Sequence, residues 1–314
     1  MSKKNEPNYD PGTGSNFSHE TKRIINKDGS FNVQRIGTSF SLNDAYLHFI
    51  QMDWLPFLLI LFSGFVLMNV LFALLYFILG NGHLGMGHHT SSLDFFLHCF
   101  YFSTQTFTTV GYGAISPSSN TASLIAAFEA FFGFLSFSLA TGLLFGRFSR
   151  PNAKIRYSKN ALVSKVNGER ALIFRLANAR STPLLDLRAT VIFSMSKHEL
   201  NKGIHRTYSR LNLQVSNIDF MPLNWTIVHF INNDSPLFNM TDDDIMDSGG
   251  ELLVHIRGFD EAFSQEVHSR FSYKASEMVK NAIFKRAFST SDSGEVTLDL
   301  SKLDDFEVVK ENNP

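Results

Sequence analysis

The sequence predicts a membrane-α plus all-β chain: two transmembrane helices with a re-entrant helix between them, followed by a β-sandwich. Three observations carry this. No Lys or Arg occurs between Arg35 and Arg147, and the only acids there are Asp44, Asp53, Asp94 and Glu129. Charged residues make up roughly a quarter of an ordinary soluble domain, so water is not the solvent of this segment. Two apolar runs inside it are each long enough to span a bilayer. Beyond residue 157 the texture changes to short apolar runs broken by turn residues.

The 314 residues favour two domains at about 100–200 residues each. Lys+Arg 28 against Asp+Glu 29 leaves no excess positive charge for a polyanion, so nucleic acid is not an expected partner. One cysteine excludes an intrachain disulfide framework. Residues 1–30 are polar, with Pro7, Pro11, Gly12 and Gly14, and are expected to bury nothing. No apolar run follows the starting Met, so a leader peptide is not expected.

In residues 40–52 the apolar positions Phe40, Leu42, Ala45, Tyr46, Phe49 and Ile50 have helical, one-sided spacing. Ser41 or Asn43 is placed to cap that helix. Directly before a span, it reads as an interfacial helix. The run Trp54–Leu79 makes a helix of about 39 Å at 1.5 Å per residue, longer than the ~30 Å hydrocarbon core. Trp54 and Tyr76 lie near its ends, as interfacial aromatics do. Residues 93–107 are apolar but too short to span, which suits a re-entrant helix capped by Ser92. The second span runs from about Ser123 to Phe148. Lys22, Arg23, Lys27 and Arg35 precede the first span, and Arg147, Arg150, Lys154 and Arg156 follow the second. The positive-inside rule then places both termini in the cytoplasm.

Asn167-Gly168 between ALVSKV and RALIFRLA is the strongest short hairpin signal in the chain. Further strands are expected at 185–195, 209–216, 225–231, 251–260 and 267–273, with a polar, partly ordered tail after 290.

Between the re-entrant helix and the second span lies Thr108-Thr109-Val110-Gly111-Tyr112-Gly113. The TVGYG stretch resembles the selectivity filter of potassium channels. The carbonyls of Thr109, Val110, Gly111 and Tyr112, with the Thr109 hydroxyl, replace the water of a dehydrated K⁺ if all turn inward. Gly111 and Gly113 tolerate the dihedrals this needs. One chain supplies a quarter of each oxygen ring, so a homotetramer is implied.

With TVGYG, the segments NVQRIG (32–37), LFALLY (71–76), GLLFGRFSRPNAKI (142–155), LANARSTPLLDLRATV (176–191), NNDSPLF (232–238) and ELLVHIRGFDE (251–261) resemble the inward-rectifier potassium channels, in particular their prokaryotic members. The resemblance implies an immunoglobulin-like cytoplasmic domain that extends the pore, and a bacterial inner-membrane location. It divides the chain into a cytoplasmic N-terminal segment (1–37), an interfacial slide helix (38–52), a two-span pore domain (53–150), the β-sandwich (151–290) and a tail (291–314). No cofactor is implied beyond K⁺ as the conducted ion.

The resemblance also assigns roles. Phe145 falls at the helix-bundle gate, and Phe137 and Thr141 line the pore one and two turns away. Gly133 and Gly142 match hinge positions, with close helix packing an equal alternative. Gln105, Thr108 and Glu129 support the filter. Phe137 stands where strongly rectifying relatives carry Asp or Asn, so that site holds no polyamine or Mg²⁺. Arg147, Arg150, Lys154 and Arg156 stand where anionic lipids or phosphoinositides are sensed. His83, His88 and His89 could bind a transition metal, although solvated histidines are the simpler reading. Competing readings are a channel gated by a soluble ligand on its β domain and a membrane-anchored β-sandwich with no pore. No phosphate loop, metal-ligand spacing or nucleophile motif points to an enzyme.

Overall fold

The computed structural model describes residues 12, 23–37, 41–85, 87, 91–199 and 203–309. Internal contacts divide the chain into a helical unit, Gly37–Arg150, and a β unit, Met1–Ile36 with Pro151–Pro314.

The helical unit opens with α1 (Leu42–Gln51), whose N-cap is Ser41. Its hydroxyl accepts from the Asp44 amide while the Asp44 carboxylate accepts from the Ser41 amide, a capping box. Next come α2 (Trp54–Leu79), α3 (Ser92–Phe107) and α4 (Asn120–Phe148). Both α2 and α4 are long and apolar enough to cross a membrane. The cap of α3 is Ser91, not Ser92: its hydroxyl accepts from the Asp94 amide, and Ser92 already lies inside the helix. Phe72, Ala73 and Tyr76 of α2 pack with Phe95, Cys99 and Phe102 of α3 and Ala122 of α4. Elsewhere apolar side chains point outward, among them Leu55, Phe62 and Leu67 of α2 and Leu124, Phe131 and Phe134 of α4. That inversion is the signature of a lipid-facing surface.

The β unit is a sandwich. One sheet is built on β1 (Ile155–Tyr157), β2 (Ala161–Val166), β3 (Glu169–Asn178), β7 (Asn224–Phe230) and β10 (Met278–Lys280). Within it β2 pairs with β3 around Asn167-Gly168, both residues at positive φ as a two-residue hairpin turn requires. The other sheet has the order β5 (Gly203–Arg210), β4 (Leu184–Glu199), β8 (Glu251–Asp260), β9 (Gln265–Lys274), with β6 (Asn217–Phe220) also on β4. Leu172, Phe174 and Leu176 of β3 meet Val191 and Phe193 of β4 and Leu252 and Val254 of β8 in the shared core. A six-residue helix, α5 (Asp242–Asp247), precedes β8.

Two further expectations are corrected. Residues 209–216 do not form a strand: Ser209 and Arg210 end β5, and 211–216 are irregular before β6. The polar N-terminal stretch does bury side chains. Ile24 and Ile25 enter a cluster with Ile192, Tyr208 and Leu253, and the buried Glu251 carboxylate accepts from both of their amides. Residues 1–11 and 13–22 lie outside the described residues. The partly ordered tail expected after 290 holds regular structure within the described residues: β12 (Phe288–Thr290) pairs with β13 (Val296–Leu298), and β14 (Phe306–Val308) pairs with β11 (Ala282–Phe284), while 310–314 lie outside them. The β11–β14 pair covers the outer face of β3, where Ala171 and Ile173 sit near Val228, Phe284 and Phe306. This double cover explains the continuous apolar run ALIF in β3.

Candidate functional site

The loop after α3 has no regular structure, yet its backbone is tightly specified. Thr108 donates its amide and its hydroxyl to the Thr104 carbonyl, at 3.1 and 2.6 Å. The amide of Thr109 reaches the Thr106 carbonyl at 3.1 Å, and those of Val110 and Gly111 converge on the Gln105 carbonyl at 2.9 and 3.3 Å. Thr109, Gly111 and Gly113 have positive φ of 59°, 54° and 81°, while Val110 and Tyr112 do not. Alternating handedness turns successive amides to one side and successive carbonyls to the other. The carbonyls of 109–113 accept no backbone hydrogen bond among the described residues. Thr109 is β-branched and left-handed, a costly conformation that marks a functional loop. Val110 and Tyr112 are 52% and 79% exposed on the single chain.

The Gln105 carbonyl thus receives two amides of the loop, and among the described residues its side-chain amide makes no hydrogen bond.

Behind the loop lies a buried polar cluster. Glu129 of α4 accepts from the Tyr76 hydroxyl at 2.7 Å and from the Ser103 hydroxyl. Ser103 also lies 3.2 Å from Asn69 Oδ1, and Asn69 donates to the Phe65 carbonyl at 2.7 Å. Asn69, Tyr76, Ser103 and Glu129 are all fully buried. Each spends its polar atoms on another helix or its own backbone, so α2, α3 and α4 are tied together where apolar packing alone specifies little. Asn69 and Ser103 carry this job without having been singled out in the sequence. The available signal was an amide and a hydroxyl inside apolar runs.

Gly133 faces the end of α3. A β-carbon there would overlap the carbonyl group of Phe107, coming within 2.8 Å of its carbon. Glycine at 133 is thus a close-approach residue. A β-carbon at Gly142 meets nothing within 4 Å. Phe137, Thr141 and Phe145 are exposed at successive turns of α4, and the Thr141 hydroxyl donates to the Phe137 carbonyl at 2.8 Å. A cavity of about 670 Å³ opens between α2 and α4 beneath the loop, walled by Phe65, Met68, Phe107, Thr108, Thr109 and Phe137.

Of the four basic residues after α4, Arg147 is committed inside the protein. It donates to the carbonyls of Phe49, Ile50 and Met52 at 2.5, 3.2 and 2.6 Å. Its guanidinium lies 4.5 and 4.4 Å from the Trp54 and Phe57 ring centroids. It satisfies the open carbonyl end of α1. Arg156 pairs with Asp304 at 3.1 Å. Arg150 and Lys154 are exposed, with no ion pair among the described residues.

His83 hydrogen-bonds Ser119 at 2.8 Å, while His88 and His89 lie outside the described residues. No group of three metal-ligating side chains occurs among the described residues. Cys99 is buried in the apolar cluster of α2, α3 and α4.

Comparison with known proteins adds three findings. The ion channel family matches residues 57–150, and the inward rectifier potassium channel C-terminal domain matches residues 155–313. The inward rectifier potassium channel Kirbac3.1 of Paramagnetospirillum magnetotacticum is 32% identical over 282 residues, covering 89% of this chain and 94% of that one. Two crystal structures of OgpA from Akkermansia muciniphila match at TM-scores of 0.18 and 0.17 and 7% identity. They cover 40% of this chain and 28% and 29% of theirs. A likeness at that level carries no argument.

Proposed function

The chain belongs to the inward rectifier potassium channel family, and from that premise we propose that four copies close around the loop 109–113 and conduct K⁺ passively. It is a membrane channel, not an enzyme. The single observation that carries the reading is the alternation at Thr109, Gly111 and Gly113 with the Val110 and Gly111 amides drawn to Gln105. It leaves the carbonyls of Thr109, Val110, Gly111 and Tyr112 free to ligand a dehydrated cation. A backbone so exposed is tolerated at membrane depth only where it lines a water-accessible path, which three further copies would complete.

In this reading α3 and the Glu129 cluster hold the loop, Phe137 and Thr141 line the path below it, and a ring of Phe145 closes it by dewetting. Gly142, free of packing demands, is the place for α4 to bend. With Phe at 137, no carboxylate ring traps polyamines. Both termini are cytoplasmic, α1 lies on the inner leaflet, and Arg150 and Lys154 are the groups left to meet anionic headgroups. The pore domain occupies residues 53–150 and the cytoplasmic domain begins at 151.

The test is Rb⁺ uptake into proteoliposomes. The parent channel should admit Rb⁺ in preference to Na⁺ and be blocked by Ba²⁺. Gly111→Ala should abolish uptake and Phe145→Ala should raise it. Equal Na⁺ uptake, or an active Gly111→Ala variant, defeats the assignment of the filter; an unchanged Phe145→Ala places the gate elsewhere.

A second reading, regulation by a soluble ligand, is favoured by one observation: a cavity of about 410 Å³ in the β unit.

A further inference from the structure

The outer face of the sheet that holds β4, β8 and β9 carries a pair of histidines. Register places His255 of β8 opposite Arg270 of β9 and Arg257 opposite His268, so the two imidazoles are diagonal neighbours on adjacent strands. Strand alternation sends Val254 and Ile256 into the core and turns His255 outward. His255 is half-buried and His268 is exposed. His255 Nε2 lies 3.2 Å from His268 Nδ1, with the ring planes at 14°.

His229 of the same unit spends both ring nitrogens on protein groups, the Asn212 carbonyl and the Ser235 hydroxyl. The facing nitrogens of His255 and His268 have only each other among the described residues. The charged groups around the pair are otherwise engaged. Arg257 pairs with Glu266 at 3.1 Å, and Arg270 stacks 4.9 Å from the Phe31 ring centroid. Glu266 Oε1 also lies 3.8 Å from His268 Nε2. From β4, Thr190 stands opposite His255 and the exposed Arg188 opposite Arg257.

Two imidazole nitrogens at this separation fit one metal ion. At the usual metal–nitrogen distance of about 2.0–2.1 Å they subtend an angle of about 100°, between the square-planar and tetrahedral values. The donors decide the class of ion. Neutral imidazoles suit Cu²⁺, Ni²⁺ and Zn²⁺, whereas Mg²⁺ and Ca²⁺ demand shells built of oxygen. Glu266 is the one carboxylate beside the pair among the described residues. From the convergence of His255 and His268 across β8 and β9 we infer that this face binds one divalent transition-metal ion. Glu266 is held by Arg257, so no third protein ligand is in place and water completes the shell. Arg257 opposes the ion twice, by its own charge and by its hold on Glu266. The bound ion clips β8 to β9 beside the turn 261–264 that joins them. The inference goes beyond the channel reading and stands whether or not the pore conducts.

The test is calorimetric titration of the full-length protein, free of any affinity tag, with NiCl₂ in a non-chelating buffer, beside MgCl₂ at equal concentration. Saturable Ni²⁺ binding is expected, with Mg²⁺ silent. The double variant His255→Gln/His268→Gln should take up one ion fewer per chain. His268→Gln alone should weaken the site by more than about tenfold, since even a group that only orients a metal ligand is worth that much. It lies at an exposed position and carries the test if a His255 variant fails to fold. Arg257→Gln should tighten binding, because it removes a neighbouring charge and releases Glu266 to the ion. Ni²⁺ should raise the melting midpoint of the parent more than that of the double variant, as an ion bound only by the folded chain must. The inference is overturned by any of three results: no saturable Ni²⁺ heat up to about 1 mM; as many ions per chain in the double variant as in the parent; or equal affinity in His268→Gln and the parent. Because heat is the readout, failure of Rb⁺ uptake and failure of metal binding remain separate outcomes.

Discussion

The helical unit and the β unit solve the same packing problem in opposite solvents. In the β unit Phe174, Leu176 and Val254 are inside, and charge is neutralised at the surface by pairs such as Arg170–Asp242 at 2.5 Å. In the helical unit Phe62 and Phe134 are outside, and the ionisable Glu129 is inside, held by hydroxyls of Tyr76 and Ser103. The difference teaches what specifies each. Water drives the sandwich together through apolar burial. Lipid offers no such drive, so close backbone approach and interhelical hydrogen bonds decide how the spans meet.

The largest test of that contrast is Gly133→Ala. A methyl group at the Phe107 carbonyl forces α3 and α4 apart at the root of the loop. Loss of both the assembled particle on size exclusion and Rb⁺ uptake is expected, with the assembled particle retained in Gly142→Ala. Wild-type behaviour of Gly133→Ala would show that this contact does not set the loop.

The next compares two phenylalanines. Phe174 is 1% exposed in the sandwich core, and Phe174→Ala should cost the β unit about 3–5 kcal/mol in denaturant unfolding. Phe62 is 64% exposed on α2, and Phe62→Ala should cost under about 1 kcal/mol, because lipid replaces what the ring touched. Equal losses would mean that the exposed face of α2 is covered by protein.

The smallest concerns His229. It is buried, with its Nδ1 2.7 Å from the Asn212 carbonyl and its Nε2 2.8 Å from the Ser235 hydroxyl. The carbonyl fixes the proton on Nδ1, so Nε2 accepts. Burial lowers its pKa below the ordinary value of 6.5, although the Asn212 carbonyl opposes this. The folded state thus holds the neutral ring while the unfolded chain takes up a proton below about pH 6.5. Its contribution to stability is complete above that pH and is lost as pH falls towards the lowered native value. Trp225 fluorescence, in a Trp54→Phe background, should report a lower melting midpoint at pH 5.5 than at 7.5, and His229→Gln should narrow the gap. His255, also lowered by burial and by His268, Arg270 and Arg257, adds a drop of the same sign, so the gap should narrow without closing.

Much of this molecule was legible before folding. The span from 54 to 79 and the Asn167-Gly168 hairpin are local features, fixed by composition and by dihedrals that few residues adopt. Other expectations failed where distant partners decide. The bonds of Arg147 to the carbonyls of Phe49 and Met52 were not legible because they join residues nearly a hundred positions apart. Ile24 and Ile25 read as solvated because the carboxylate that receives their amides belongs to β8. Residues 209–216 read as one strand because apolar alternation continues past the point where β4 stops pairing with β5.

The sequence by itself determined which segments are apolar enough to leave water, that glycines stand at 111 and 113 where positive φ is allowed, and which family this is. Those properties follow from side-chain transfer energies and local sterics. Only the tertiary structure decided that Gly133 yields its space to Phe107 and that Glu129 is bound by Tyr76 and Ser103. Each depends on the distance between groups far apart in the chain, which no short stretch of sequence encodes.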